Sequence, residues 1–205
     1  MFMAKKLSEM TNEELWQLFP IELTAHRSSW AAQYSREETR LLPVLSPLRL
    51  ARISHIGSTA VEGICAKPIV DILVELEKEG DMTTVESALV GAGYRVMSHE
   101  SGRISFNRGY TEQGFAEEVF HLHLRVVGDN DELYFRDLLR DRPGVALLYE
   151  KLKKRLKQKY AHNRDAYTDG KTEFIRRYTE EAKEKYGERY RESITHRDWA
   201  LHRFP

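Results

Sequence analysis

The chain has 205 residues, 41% apolar and 31% charged, and its 32 Lys and Arg equal its 32 Asp and Glu. This predicts a folded globular protein of about one domain, excludes extended disorder, and gives no long-range pull towards nucleic acid or acidic membranes. Met1 to Met10 lack the apolar core of a secretory signal, no run of about 18 apolar residues could span a membrane, and the single Cys65 allows no internal disulfide; the expected location is the cytosol.

In chain order, Thr11 and Glu14 form a capping box that predicts a helix from Asn12 to before Pro20. Ser28 or Ser29 caps a second helix over Trp30 to Leu42, with Trp30, Tyr34 and Leu41 on one stripe and Pro43 after its end. A strand over 52–56 leads into a Gly57-Ser58 turn, a short helix from Thr59, and a strand over 69–76. Met82 to Val90 reads as a helix stopped by Gly91 or Gly93. Strands follow over 103–108 and 119–127. The remainder turns helical: Asp131 to Arg140, capped by Asn130; Pro143 to Tyr160, with a stripe of Leu148, Leu152 and Leu156; and a last helix from about Lys171 carrying Phe174, Tyr178, Ala182 and Tyr186. The organisation expected is a helical extension over 1–20, a body over 21–180, and a charged, partly helical tail over 181–205.

Side chains alternate along a strand, so each of these strands is two-faced. One face carries Ile72, Val74, Leu76, Ile104, Phe106, Phe120, Leu122, Leu124 and Val126. The other gathers Asp71, Glu75, Arg103, Asn107, His121, His123 and Arg125, a set too ionisable for an ordinary buried layer. The fold class predicted is α+β: a mixed or antiparallel sheet with helices mainly on its apolar face, plus C-terminal helices.

The segment RISHIGSTAVEGICAKPIVDILVEL, from Arg52 to Leu76, carries the chemistry. Gly57 lets the backbone approach a ligand, while Ser58 and Thr59 offer hydroxyls beside the free amides of a turn, a natural phosphate site. Lys67 could neutralise that phosphate. Asp71 could hold a hard cation. His121 and His123 share its face, and they could bind a metal with Asp71, move a proton or touch phosphate; packing in the polar layer is the bland reading. Arg103 and Arg125 suit bidentate phosphate binding or a salt bridge to Asp71 or Glu75. Arg136-Asp137 reads as a structural pair, Cys65 as a core residue, and Asp129 and Asp131 as capping groups. The run KLKKRLKQK, from Lys151 to Lys159, reads as an amphipathic helix with a solvated basic face.

A Gly-Ser pair followed after a spacer by an aspartate on a strand resembles the nucleotidyltransferase signature. HIGSTAV (55–61), AKP (66–68), DILV (71–74), HLHL (121–124) and YFRDLLR (134–140) together resemble the GrpB family, as do the helix over 30–42, the Tyr149, Leu152 and Lys153 segment and Lys171 with Phe174. The resemblance spans about residues 20–180. It implies a nucleotidyltransferase-like fold binding a nucleotide or other phosphorylated small molecule, with Gly57, Ser58, Thr59, Lys67, Arg103 and Arg125 on phosphate. Asp71, His123 and Glu75 are the candidate catalytic residues, and Asp71, His121 and His123 the candidate ligands of a divalent Mg, Mn or Zn. One departure counts against catalysis. The position two residues after Asp71, where nucleotidyltransferases that catalyse carry a second carboxylate, is Leu73. Two-metal transfer needs several carboxylates, so weak or absent nucleotidyl transfer from ATP with magnesium is expected, and a degenerate binding or interaction module is the alternative.

Overall fold

The computed structural model describes residues 5–190. Its elements are α1 (Asn12–Leu18), α2 (Ser29–Leu45), β1 (Leu50–Ile56), β2 (Val70–Leu76), α3 (Met82–Gly91), β3 (Arg95–Glu100), β4 (Arg103–Thr111), β5 (Gly114–Val126), α4 (Asp131–Asp141), α5 (Pro143–Tyr160) and α6 (Arg164–Tyr186). The five strands form one sheet in the order β1-β2-β5-β4-β3. It is mixed: β2 and β5 run parallel, and the other neighbours run antiparallel.

Strand alternation places the apolar face as expected. Ile72, Val74, Leu76, Ile104, Phe106, Phe120, Leu122 and Leu124 pack against Trp30, Leu41 and Leu45 of α2 and Val85 and Leu89 of α3. A buried carboxylate anchors α2 to the sheet's far side: Glu37 accepts from the Tyr94 hydroxyl at 2.7 Å and from Arg108 at 2.7 Å. α1 closes one end, where Leu15, Leu18 and Phe19 pack with Tyr110, Phe115 and Val119.

The C-terminal helices reach the second face. Leu73 and Ile56 make a small apolar island in the polar layer, and Leu133 of α4 docks on it. α5 and α6 then pack on α4 and on each other through Leu139, Ala146, Tyr149, Phe135, Leu152, Phe174 and Ile175. Gly170, inside α6, permits their close approach, because a Cβ there would run into the Leu156 side chain.

Several boundaries differ from the expectations. α2 continues through Pro43 to Leu45, with the proline near its end, where one lost backbone bond is tolerated. Only a single 3-10 turn, Ser58–Ala60, follows Gly57. β3 was not expected, because all six of its residues are exposed and it has no apolar alternation to detect. α6 begins at Arg164, its first turn capped by Asn163, whose side chain accepts from the Ala166 amide at 2.9 Å. The Asn130 side chain does not cap α4; it donates to Glu75 at 2.8 Å. Of the predicted tail, 181–186 completes α6, and 191–205 lies outside the described residues.

Candidate functional site

The register lines up the polar face across four strands. Asp71 pairs with His121 and Leu73 with His123 along β2–β5, and Asn107 and Ser105 of β4 sit opposite the same two histidines. On the other side, Ile56, the residue before Gly57, pairs with Asp71. The Gly57-Ser58 turn therefore abuts the aspartate directly. Gly57 has φ +71°, and a Cβ there would collide with Asp71 Oδ2, so the glycine is needed both for its backbone and for this approach.

Below the turn, His55 Nε2 meets the Thr59 hydroxyl at 3.0 Å and its ring stacks on Tyr34 at 4.9 Å. Burial pushes the His55 imidazole down to about 4, so it is neutral at pH 7. The histidine of the motif thus braces the turn, and the Thr59 hydroxyl is spent on that brace. We expect Gly57→Ala to lower stability by about 2 kcal/mol, because the new methyl must displace either the turn or Asp71. Urea unfolding would check this; a variant of wild-type stability would show that the contact can relax freely.

Asp71 Oδ1 faces both histidines, 3.3 Å from His121 Nδ1 and 3.8 Å from His123 Nε2. Burial acts to raise the Asp71 pKa, but the two imidazoles beside its Oδ1 outweigh it and hold the carboxyl well below the usual range. His121 is committed on both nitrogens: Nδ1 donates to Asp71, while Nε2 accepts from the Tyr110 hydroxyl at 2.8 Å and faces Arg164 at 3.4 Å. Burial lowers its pKa to about 4, against the pull of Asp71.

Four cations from well-separated parts of the chain surround this carboxylate and Ser58. Lys67 precedes β2, Lys153 stands on α5, and Arg164 and Lys171 lie two turns apart on one face of α6. Lys153 Nζ donates to Ser58 Oγ at 3.0 Å and to the Cys65 carbonyl. Among the described residues, none of the four has a carboxylate within 4.0 Å. Each lies over a tyrosine ring instead: Lys67 at 5.8 Å and Lys171 at 4.7 Å over Tyr167, Lys153 at 4.8 Å over Tyr149, and Arg164 at 5.9 Å over Tyr110. An aromatic face steadies a cation without cancelling its charge. Burial, reinforced by repulsion from Arg164 and Lys171, pushes Lys67 down to about 7. Burial brings Lys153 down to about 8 and lowers Lys171.

These groups line a cavity of about 280 Å³ that reaches Gly57, Asp71 and His123. A second cavity of about 430 Å³ shares Ser58, Asp71, His123, Tyr149 and Lys171 with it and is walled by Phe135, Leu139 and Ile175.

The structure brings Gly57, Ser58, Thr59, Lys67, Asp71, His121 and His123 together and separates three expected partners from them. Glu75 is fully buried, paired with Arg52 at 3.1 Å and bonded to Asn130. Four strand residues from Asp71, it sits about 13 Å along β2. Arg103 is held bidentately by Asp129 at 2.6 and 2.7 Å, and Arg125 lies 3.7 Å from the same carboxylate. Opposite charges at the far end of the sheet's polar face hold these groups there. Sequence reasoning missed Lys153, Arg164 and Lys171 as site residues. The signal for Lys153 was its spacing: with Ala146, Tyr149 and Leu156 it forms the buried stripe of α5, whereas Leu148 of the expected stripe is half exposed. Arg136-Asp137 is structural as expected, joined at 2.8 Å, with Arg136 also donating to the His55 carbonyl at 2.9 Å.

The donor set does not fit a divalent metal. Among the described residues no three His, Cys, Asp or Glu side chains converge to hold one. Both nitrogens of His121 are used, and the place of a second carboxylate is filled by Leu73, packed against Ile56 and Leu133.

The sequence profile described as GrpB protein matches residues 20–181. This chain belongs to the GrpB family. It is 33% identical over 159 residues to the glutamate-rich protein GrpB of Alkalihalophilus pseudofirmus, a match covering 75% of this chain and 90% of that one. It is 31% identical over 175 residues to the UPF0157 protein YqkA of Bacillus subtilis, over 82% of this chain. The match spans only 50% of YqkA, and 65% of a Pseudomonas aeruginosa UPF0157 relative that is 34% identical. The crystal structure of the GrpB protein of Enterococcus faecalis matches with a TM-score of 0.69 at 30% identity, covering 80% of this chain and 99% of that one. The Cid1 poly(U) polymerase bound to MgGTP matches with a TM-score of 0.48 at 11% identity, over 72% of this chain and 46% of that one, and nothing about the site is carried over from it. Among the described residues of this GrpB-family chain, no helix is long and apolar enough to cross a membrane.

Proposed function

We propose that this GrpB-family protein binds a nucleotide or another phosphorylated small molecule, its phosphate seated between Ser58 and the Lys67, Lys153, Lys171 and Arg164 cluster. The observation that carries the reading is that these four cations converge on one cavity with no carboxylate within 4.0 Å among the described residues. Unpaired buried cations are costly unless something compensates them, and a phosphate does so with charge-assisted hydrogen bonds. The adjoining cavity, walled by Phe135, Leu139, Tyr149 and Ile175, has the size and apolar character that suit the body of such a ligand, a nucleobase or similar ring. The loss of the second acid at Leu73 favours binding over two-metal transfer.

The direct test is a thermal-shift panel of nucleotides and phosphorylated metabolites, since a ligand specific to the folded state raises the midpoint by mass action. A panel in which no phosphate compound moves the midpoint would sink the reading. With ATP and magnesium, turnover should stay far below an ordinary enzyme rate of about 1 per second.

Affinity should also depend on pH in a defined direction. Lys67, at about 7, and Lys153, at about 8, lose their protons as the pH rises through 7 to 9, so the free site sheds positive charge there. A phosphate monoester keeps its second charge only above about pH 6. Binding should therefore be tightest at about pH 6.5 and weaken at least tenfold by about pH 9, with protons taken up on binding. Calorimetry in buffers of different ionisation enthalpy reads both; a flat profile would place the phosphate away from the lysines.

A further inference from the structure

We propose that phosphate binding here, which rests on the reading above, requires no divalent cation, because Lys67, Lys153, Lys171 and Arg164 take over the neutralising role that metal ions play in two-metal sites. Two observations carry this independently of any titration. The first is the donor set. Asp71 is the sole carboxylate lining the smaller cavity, where the four cations gather, whereas Asp131 and Glu132 line only the adjoining one; Asp71 Oδ1 already faces two imidazoles. His121 has no free nitrogen, and Leu73 is sealed under Leu133. Two metal ions need bridging and flanking carboxylates; here a divalent ion beside Asp71 would face several like charges instead. The second is how the cations are mounted. Tyr149, Tyr167 and Tyr110 back them, and Lys153 is anchored on Ser58 Oγ and a carbonyl, so their charge points into the cavity unspent. One negative group against as many as four positive ones leaves an excess matched by a doubly or triply charged anion. The class of ligand is then a terminal phosphate monoester or a diphosphate, bound as the free anion.

In this arrangement Asp71 is a brace for the Gly57 turn and the two histidines, and its charge opposes the ligand. That reverses what a metal-ligating aspartate would do, and the reversal can be measured. Inorganic pyrophosphate is titrated into the full chain by calorimetry, once with EDTA and once with excess magnesium. Binding is expected in EDTA and should weaken when magnesium complexes the ligand. In EDTA, Asp71→Asn should tighten binding by about threefold or more as a nearby repulsion is removed. Lys171→Gln, at a side chain that makes no hydrogen bond among the described residues, should weaken it at least tenfold with an unchanged circular-dichroism spectrum. Binding that appears only with magnesium, or is lost in a folded Asp71→Asn protein, overturns the metal-free proposal and leaves the phosphate site standing. If Asp71→Asn fails to fold, Lys171→Gln together with the two wild-type titrations decides the matter. No binding in either titration overturns both.

Discussion

Leu73→Asp should destabilise the protein by about 4 kcal/mol and confer no nucleotidyl transfer. On sequence alone this change would restore the carboxylate missing two residues after Asp71, and the strand period does put it on the right face. The structure removes that possibility, because Leu73 is fully buried against Ile56 and Leu133. A carboxylate there loses the leucine packing and gains neither solvent nor a cation. For a chain of this size the loss corresponds to a fall in melting midpoint of roughly 8–16 °C. Differential scanning calorimetry and a transfer assay with ATP and magnesium test the two halves separately. A stable variant that gains turnover would show that the catalytic site is one substitution away.

Glu75→Ala should cost about 3–5 kcal/mol while leaving ligand affinity unchanged. Glu75 and Arg52 form a buried ion pair at 3.1 Å, and Asn130 adds a hydrogen bond at 2.8 Å. Burial pushes the Glu75 pKa up, with Arg52 opposing, so the carboxylate depends on these partners to stay charged. Removing it takes from the buried Arg52 guanidinium its carboxylate at 3.1 Å, and removing one partner of a buried ion pair is strongly destabilising. Replacing both at once, Arg52→Met with Glu75→Leu, should recover most of the loss. Chemical denaturation of the single and double variants closes the cycle. If Glu75→Ala instead abolished ligand binding at wild-type stability, the catalytic role expected for Glu75 would return.

The parts of the site legible in the sequence were those whose neighbours in space are also neighbours along the chain or are fixed by strand alternation. Gly57, Ser58 and Asp71 announce themselves as a turn and a strand, and a side-chain period of two puts His121 and His123 on the face of Asp71. The sheet and its apolar face followed from the same periodicity. Lysines on helices carry a weaker signal. On α5, Lys153 sits inside a basic run; its spacing with Tyr149 and Leu156 marks it as buried, but only the finished packing shows it aimed at Ser58. Arg164 was hidden because Gly170 interrupts the helical pattern, delaying the expected start of α6, while in the structure that glycine lets α6 lie close against Leu156. Arg103 and Arg125 were misplaced for a different reason: face alone does not fix position along a strand, and Asp129 lies at their end.

The parallel pairing of β2 with β5 has a consequence for a chain emerging from the ribosome. Asp71 meets His121 only after α3, β3 and β4 have been made, and Ser58 meets Lys153 later still, across 95 residues. Contacts of such long sequence separation form late. A nascent chain that stops after β5 has every strand of the sheet yet lacks Lys153, Arg164 and Lys171. Under the proposed function, affinity arises only once α5 and α6 have been made, and a phosphorylated ligand would protect chains that carry all four cations over shorter ones.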